Sequence, residues 1–217
     1  MGQPGVAKQY LPLAEKTVLE WALSPILSRA DCAGVVVALA ADDQEWARLA
    51  VAKDPRVRAV IGGTERAQSV QAALKALQAE SSDWVLVHDA ARPCLGVNEL
   101  DALIQDLRED AVGGLLATPM VDTLKRADGD GRVAATVSRD SLWRALTPQM
   151  FRYEILCRAL EAAGKDGRIV TDEAQAIELL GMRPRLVAGS IDNIKVTLPD
   201  DLRRAERILS EMMDRQP

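Results

Sequence analysis

Aromatic side chains are scarce in this chain of 217 residues, which holds one Phe, two Tyr and four Trp. A core of Leu, Val, Ala and Ile follows, and a surface that stacks successive nucleic-acid bases does not. Positive charge is also in deficit. The net charge of −5 and the pI near 5.1 argue against a nucleic-acid or anionic-membrane partner, which is met by broad basic patches, so any anion site must be local. Cys32, Cys94 and Cys157 stand far apart, with no C-x-x-C and no Cys/His spacing that would hold zinc, and read as reduced thiols in or near the core. No signal peptide is recognisable and no apolar run reaches the roughly 18 residues of a membrane span, so the expected location is the cytoplasm.

Length and a hydrophobic content of 48% suit one α/β domain over residues 1–217. Helical spacing runs over 15–27, and 34–40 (GVVVALA) is a buried strand; Asp42 and Asp43 cap a helix expected over 44–52. Strands follow at 57–61, 84–87 and 114–118, with helices over 67–79 and 97–107 between them. Near-continuous apolar strands alternating with helices predict a mainly parallel, twisted sheet covered on both faces. The alternation then breaks: 122–126 and 133–138 flank the turn Asp128-Gly129-Asp130-Gly131 and predict a projecting hairpin arm at about 121–142. An extended segment at 142–147, helices over 153–163 and 172–180, strands near Leu186 and Ile194 and a closing helix over 199–213 complete the pattern.

The densest chemistry lies where the apolar strand ending at Val87 runs into His88-Asp89-Ala90-Ala91-Arg92-Pro93. In open α/β sheets ligands gather at the carboxyl ends of strands, and a carboxylate and a guanidinium three residues apart suit a metal ion and a phosphate. The plain structural alternative is a strand-end ion pair. His88, the single histidine, reads as a packed strand-end residue rather than a base.

Seven ordered motifs resemble one family: Lys8-Gln9-Tyr10-Leu11, the stretch Gly62-Gly63-Thr64-Glu65-Arg66-Ala67-Gln68-Ser69-Val70, the stretch 88–93, Asp122-Thr123-Leu124-Lys125-Arg126, Thr147-Pro148-Gln149, Thr171-Asp172-Glu173-Ala174 and Asp192-Asn193-Ile194-Lys195-Val196-Thr197. The family is 2-C-methyl-D-erythritol 4-phosphate cytidylyltransferase, and the likeness spans essentially the whole chain. It implies a Rossmann-like nucleotidyltransferase fold with an arm that clasps a second subunit. The implied reaction moves CMP from CTP to the phosphate of methylerythritol phosphate, releasing pyrophosphate with Mg²⁺, in isoprenoid precursor synthesis. Family members also carry a strand and a loop of the form A-A-G-x-G-x-R-M just before the Lys-Gln-Tyr motif. Met1 stands where that loop would end, and the chain as written is expected to lack both and to be slowed accordingly.

The resemblance also distributes roles. Lys8 would face the CTP phosphates, and Gly62, Gly63, Thr64 and Ser69 would form the cytosine pocket, Thr64 standing where the family commonly has Asp. Asp89 would hold Mg²⁺ against the triphosphate, with Arg92 bracing that loop or a phosphate. Thr123, Arg139 and Lys195 would bind methylerythritol phosphate, Arg139 from the arm of the neighbouring subunit of a homodimer. Thr147, Thr171 and Asp172 would flank the same cleft. Structurally plainer alternatives are an Arg139–Asp140 surface pair, a solvated Lys125-Arg126, and Asp172-Glu173 as an acidic first helical turn. Two other functions stay open: transfer to another polyol phosphate such as ribitol 5-phosphate, and an inactive nucleotide-binding or dimer-forming remnant.

Overall fold

The structure, a computed structural model, describes residues 7–214. After a single 3₁₀ turn at Lys8–Tyr10, the two-residue strands β1 (Pro12–Leu13) and β2 (Lys16–Thr17) form a tight antiparallel ladder. Helix α1 (Val18–Leu27) starts at Thr17 because a capping box closes there: the Thr17 hydroxyl oxygen accepts from the Glu20 N–H, and the Glu20 carboxylate accepts from the Thr17 N–H. The helix expected from residue 15 is therefore shortened by that ladder.

Strands β3 (Val35–Leu39) and β4 (Val57–Ile61) pair in parallel, with Val35 opposite Val57. The helix expected over 44–52 is two 3₁₀ turns, Trp46–Arg48 and Ala50–Lys53. Leu49 between them is extended at ψ 144° and buried with Tyr10, Leu19, Leu23, Val37 and Val57. A helix this short has little cooperativity of its own, so burial of one leucine overrides the cap at Asp43.

Helix α2 (Arg66–Ala76), strand β5 (Trp84–Val87), helix α3 (Val97–Leu107) and strand β6 (Gly113–Pro119) follow. The arm is the antiparallel pair β7 (Leu124–Ala127) and β8 (Val133–Val137). Strand β9 (Trp143–Arg152), helices α4 (Tyr153–Lys165) and α5 (Glu173–Leu179), strand β10 (Arg185–Ala188) and helix α6 (Pro199–Asp214) complete the order. The larger sheet runs β10-β6-β9-β5.

The α/β class holds, with a refinement of strand direction. Parallel pairing is found in β3–β4 and β6–β10, whereas β9 runs antiparallel to both β6 and β5. The chain enters β9 from the arm rather than from a crossover helix, and a hairpin-like return reverses direction. The strand expected near Ile194 is not a ladder: Val196 N–H donates to the Ala91 carbonyl at 2.7 Å, which ties this segment to the loop after β5.

Alternation along the central strands covers the large sheet on both faces. Leu115 and Phe151 point into the layer of α2, α4 and α5, while Leu116 and Met150 point into the layer of α3. Leu116→Ala is expected to cost about 2–5 kcal/mol, because the side chain is fully enclosed and its cavity cannot collapse. Leu186→Ala, on an exposed side chain, is expected to cost under about 0.5 kcal/mol, and denaturant unfolding of both variants checks the contrast.

Candidate functional site

Four segments meet at the carboxyl end of β5. The turn after His88 is closed by Arg92 N–H donating to the Asp89 carbonyl at 3.0 Å, which aims both side chains of this pair to the same side. Three cations share the Asp89 carboxylate. Arg66 Nε donates to Oδ1 at 3.2 Å, Lys195 Nζ lies 2.9 Å from Oδ2, and Arg92 Nε lies 3.4 Å from Oδ2. Burial opposes the charge on Asp89, but the Lys195 hydrogen bond and the fields of Arg66, Lys195 and Arg92 outweigh it and bring the carboxyl down to about 2.

Arg66 also forks onto Glu173, with Nη1 2.6 Å from Oε1 and Nη2 2.9 Å from Oε2. Burial raises the Glu173 carboxyl above its ordinary range and the Arg66 fork opposes that rise. Three cations against two carboxylates leave this cluster positive within an acidic chain. An anion is the complementary ligand.

The backbone around the cluster is pinned. Asp89 N–H donates to the Thr147 hydroxyl oxygen at 3.0 Å, and the same oxygen lies 2.9 Å from His88 Nδ1. His88 Nε2 faces the Arg92 carbonyl at 3.1 Å; a carbonyl only accepts, so Nε2 carries the proton and Nδ1 accepts from the Thr147 hydroxyl. Arg92 Nη1 donates to the Asn193 carbonyl at 2.7 Å, and Asn193 Nδ2 donates to the Thr147 carbonyl at 2.9 Å. Behind this layer, buried Gln149 joins β9 to α5: its Nε2 donates to Asp172 Oδ2 at 3.0 Å and its Oε1 accepts from the Ala174 N–H at 2.8 Å.

The loop ahead of α2 lies flat on the helix start. A Cβ on Gly63 would come within 2.3 Å of Gln68 Cβ, so that position requires glycine, and one on Gly62 would come within 2.6 Å of Ser69 Oγ and displace that hydroxyl. Gln68 Oε1 accepts from the N–H groups of Thr64 and Glu65 and from the Thr64 hydroxyl, and Ser69 Oγ accepts from the Gly63 N–H at 3.2 Å.

The structure thus brings Asp89, Arg92, Lys195 and Thr147 together, reaches Asp172 through Gln149, and reaches the loop of Gly62, Gly63, Thr64 and Ser69 through Arg66. Thr171 is exposed and holds Gln175 Oε1 with its N–H at 2.7 Å and with its hydroxyl. Lys8 is exposed on the first turn, whose neighbour Tyr10 donates to Asp43 Oδ2 at 2.6 Å. Thr123 and Arg139 are exposed on the arm, and Arg139 donates to the Val121 carbonyl rather than pairing with Asp140, which bonds Ser138. The arm's Lys125 donates to the Thr136 hydroxyl at 2.8 Å. Residues 1–6, where the chain is expected to lack the family's glycine-rich loop, lie outside the described residues. Sequence reasoning gave no role to Arg66, Glu173, Gln149 or Asn193. Gln149 between Pro148 and the apolar pair Met150-Phe151 was a usable signal; Glu173 was hidden because an acid in a first helical turn needs no further explanation.

The sequence matches the model of the IspD family, 2-C-methyl-D-erythritol 4-phosphate cytidylyltransferase, over residues 2–211. The chain belongs to this family. A Pseudomonas putida (strain GB-1) protein named 2-C-methyl-D-erythritol 4-phosphate cytidylyltransferase is 56% identical over 198 residues, covering 90% of this chain and 84% of that one. A solved 4-diphosphocytidyl-2C-methyl-D-erythritol synthase is 40% identical with a TM-score of 0.85, covering 93% of this chain and 94% of that one. The cytidylyltransferase of Francisella tularensis is 32% identical with a TM-score of 0.85, covering 94% and 93%. Membership makes the chain a nucleotidyltransferase, and the α/β architecture with its sheet and flanking helices is that of these neighbours.

His88 bears on acid stability in this family member. Desolvation, with the Arg92 charge adding, pushes its imidazole down to about 4 against partial support from the Arg92 carbonyl and Asp89. The unfolded imidazole titrates near 6.5, so between about 6.5 and about 4 the unfolded chain binds the additional proton and stability must fall as pH falls through that window. Unfolding free energies measured across the window are expected to show this slope, and His88→Gln to flatten it. The single imidazole resonance should titrate near 4 in the folded protein.

Proposed function

We propose that the chain transfers CMP from CTP to 2-C-methyl-D-erythritol 4-phosphate, giving 4-diphosphocytidyl-2-C-methyl-D-erythritol and pyrophosphate in isoprenoid precursor synthesis. An oxygen of the acceptor phosphate attacks the α-phosphorus of CTP, and the bond to the β-phosphate oxygen breaks. The observation that carries this reading is the positive cluster at Asp89 beside the glycine loop, in a chain of this family. Phosphoryl chemistry needs positioning and charge neutralisation more than proton transfer, since the acceptor phosphate is already an anion. The neutral, doubly bonded His88 suits a scaffold role there.

In this reading Gly62, Gly63, Thr64 and Ser69 read the cytosine edge, and Lys8 and Arg92 meet the triphosphate. Lys195, Thr147, Thr171 and Asp172 receive the acceptor from the core side, and Thr123 and Arg139 from an arm. Asp89 is the proposed Mg²⁺ ligand. Both its oxygens are on cations, and no group of three His, Cys, Asp or Glu side chains gathers for a metal among the described residues. A magnesium ion arriving with a triphosphate needs only one or two carboxylates, the rest being phosphate and water, and half-exposed Lys195 is free to yield its contact. The residues fit on those terms. The ion would neutralise charge on the phosphates.

The arm supports a homodimer with shared acceptor sites. Its strands are exposed, as are the apolar Val121, Val133, Leu142 and Trp143 on it and at its base, and a two-stranded ribbon has no core of its own. No helix among the described residues is long and apolar enough to cross a membrane, the three cysteines are unpaired, and a cytoplasmic setting is part of this reading.

Pyrophosphate release measured with each of the four nucleoside triphosphates, against methylerythritol phosphate and ribitol 5-phosphate, tests the assignment. CTP with methylerythritol phosphate is expected to dominate; equal use of ATP or GTP, or preference for ribitol 5-phosphate, overturns it. Shared sites predict that inactive Arg139→Ala and Lys195→Ala proteins regain activity when mixed, because a heterodimer then carries one site with both cations. Subunit exchange without any recovery would refute the composite site.

A further inference from the structure

Arg66 is the first residue of α2, immediately behind the glycine loop, and its one guanidinium reaches two carboxylates far away in the chain. The terminal nitrogens fork onto Glu173 at 2.6 and 2.9 Å while Nε takes Asp89 at 3.2 Å. Serving two carboxylates along two edges requires a planar fork, which lysine lacks. Glu173 is 0% exposed while a third of the Arg66 side chain reaches solvent, and replacing such an ion pair by an apolar pair of the same volume is often neutral or stabilising, so stability alone does not account for it.

What the pair does provide is a rigid span between the parts assigned above to the two substrates. Through Arg66 the loop of Gly62 and Gly63 is tied to Asp89 on one side and to the start of α5 on the other. That start cannot shift independently. Asp172 caps it by accepting the Gln175 N–H at 2.9 Å, and Gln149 bolts both Asp172 and Ala174 to β9, two residues from Thr147. Resting on the proposed cytidylyl transfer, we infer that Arg66 is a positioning residue: acting through Asp89 and Glu173, it fixes the nucleotide half of the cleft relative to the acceptor half so that the two phosphates meet in line.

The test compares the parent chain with Arg66→Lys, Glu173→Gln and the double variant Arg66→Met/Glu173→Met, measuring thermal midpoints and steady-state pyrophosphate release. A misplacement of about 1 Å costs about a hundredfold in rate, so Arg66→Lys and Glu173→Gln should lower kcat by about 10- to 100-fold. KM for either substrate should change less than about threefold, as for a contribution made in the transition state. The double variant leaves no charge buried without a partner; its midpoint should return close to the parent's while kcat stays low. That split separates positioning from mere structural support. Recovery of kcat together with the midpoint, or a parent-like kcat in Arg66→Lys, overturns the inference alone. If the double variant does not fold, Arg66→Lys and the isosteric Glu173→Gln decide, since each keeps a polar partner in place. A parent that releases no pyrophosphate from CTP overturns the proposed reaction, and the inference with it.

Discussion

The carboxylate of Asp89 is the contact on which the rest of the site depends. It is shared by Arg66 from the start of α2, Arg92 from its own turn and Lys195 from the segment before α6, so one side chain draws together parts of the chain far apart in sequence. Its backbone N–H adds β9 through Thr147. None of these pairs would matter much at an open surface, where exposed ion pairs contribute about 0–1 kcal/mol. Here Asp89 and Arg92 are almost enclosed, with side-chain exposures of 11% and 12%, and the surrounding hydrogen bonds hold the geometry before any ligand arrives.

That arrangement explains how an acidic chain can offer an anion site. Screening at physiological ionic strength has a length of about 8 Å, so the net charge of −5, spread over the surface, is felt weakly where three cations lie within hydrogen-bonding reach of one another's partner. Local excess decides the sign. The same economy applies to His88: desolvation and the nearby Arg92 charge keep it neutral against the pull of the Arg92 carbonyl and Asp89, and what it contributes through its two hydrogen bonds is the shape of the turn from which Asp89 and Arg92 project.

Legibility in the sequence followed the range of the forces involved. Strands β4 and β5 and helix α3 stand at the residues expected, because apolar period and local caps define them without outside help. The segment 44–52 failed where one buried leucine broke a short helix, and the direction of β9 was unreadable because a strand's residue pattern looks the same run either way. Asp89, Arg92, Lys195 and Thr147 were named from motifs and converge in space. Arg66 and Glu173 escaped since their meaning is a contact across 107 residues, each having an adequate local explanation as a helix-start residue.

Burial also ranks what can move within the cluster. Arg66 is forked onto a fully enclosed carboxylate, and Arg92 is anchored to the Asn193 carbonyl as well as to Asp89. Lys195, with 43% of its side chain exposed, has Asp89 as its one ionic partner among the described residues and carries a flexible stem with a rotatable ammonium. In the proposed reaction, phosphates entering the site would compete with Asp89 for these cations, and the cation with the least to lose is Lys195. The two arginines then form a fixed frame. Under the proposed reaction the lysine would follow charge as it shifts from the acceptor to the bond being made, because leaving Asp89 removes one contact and no hydrogen-bond network.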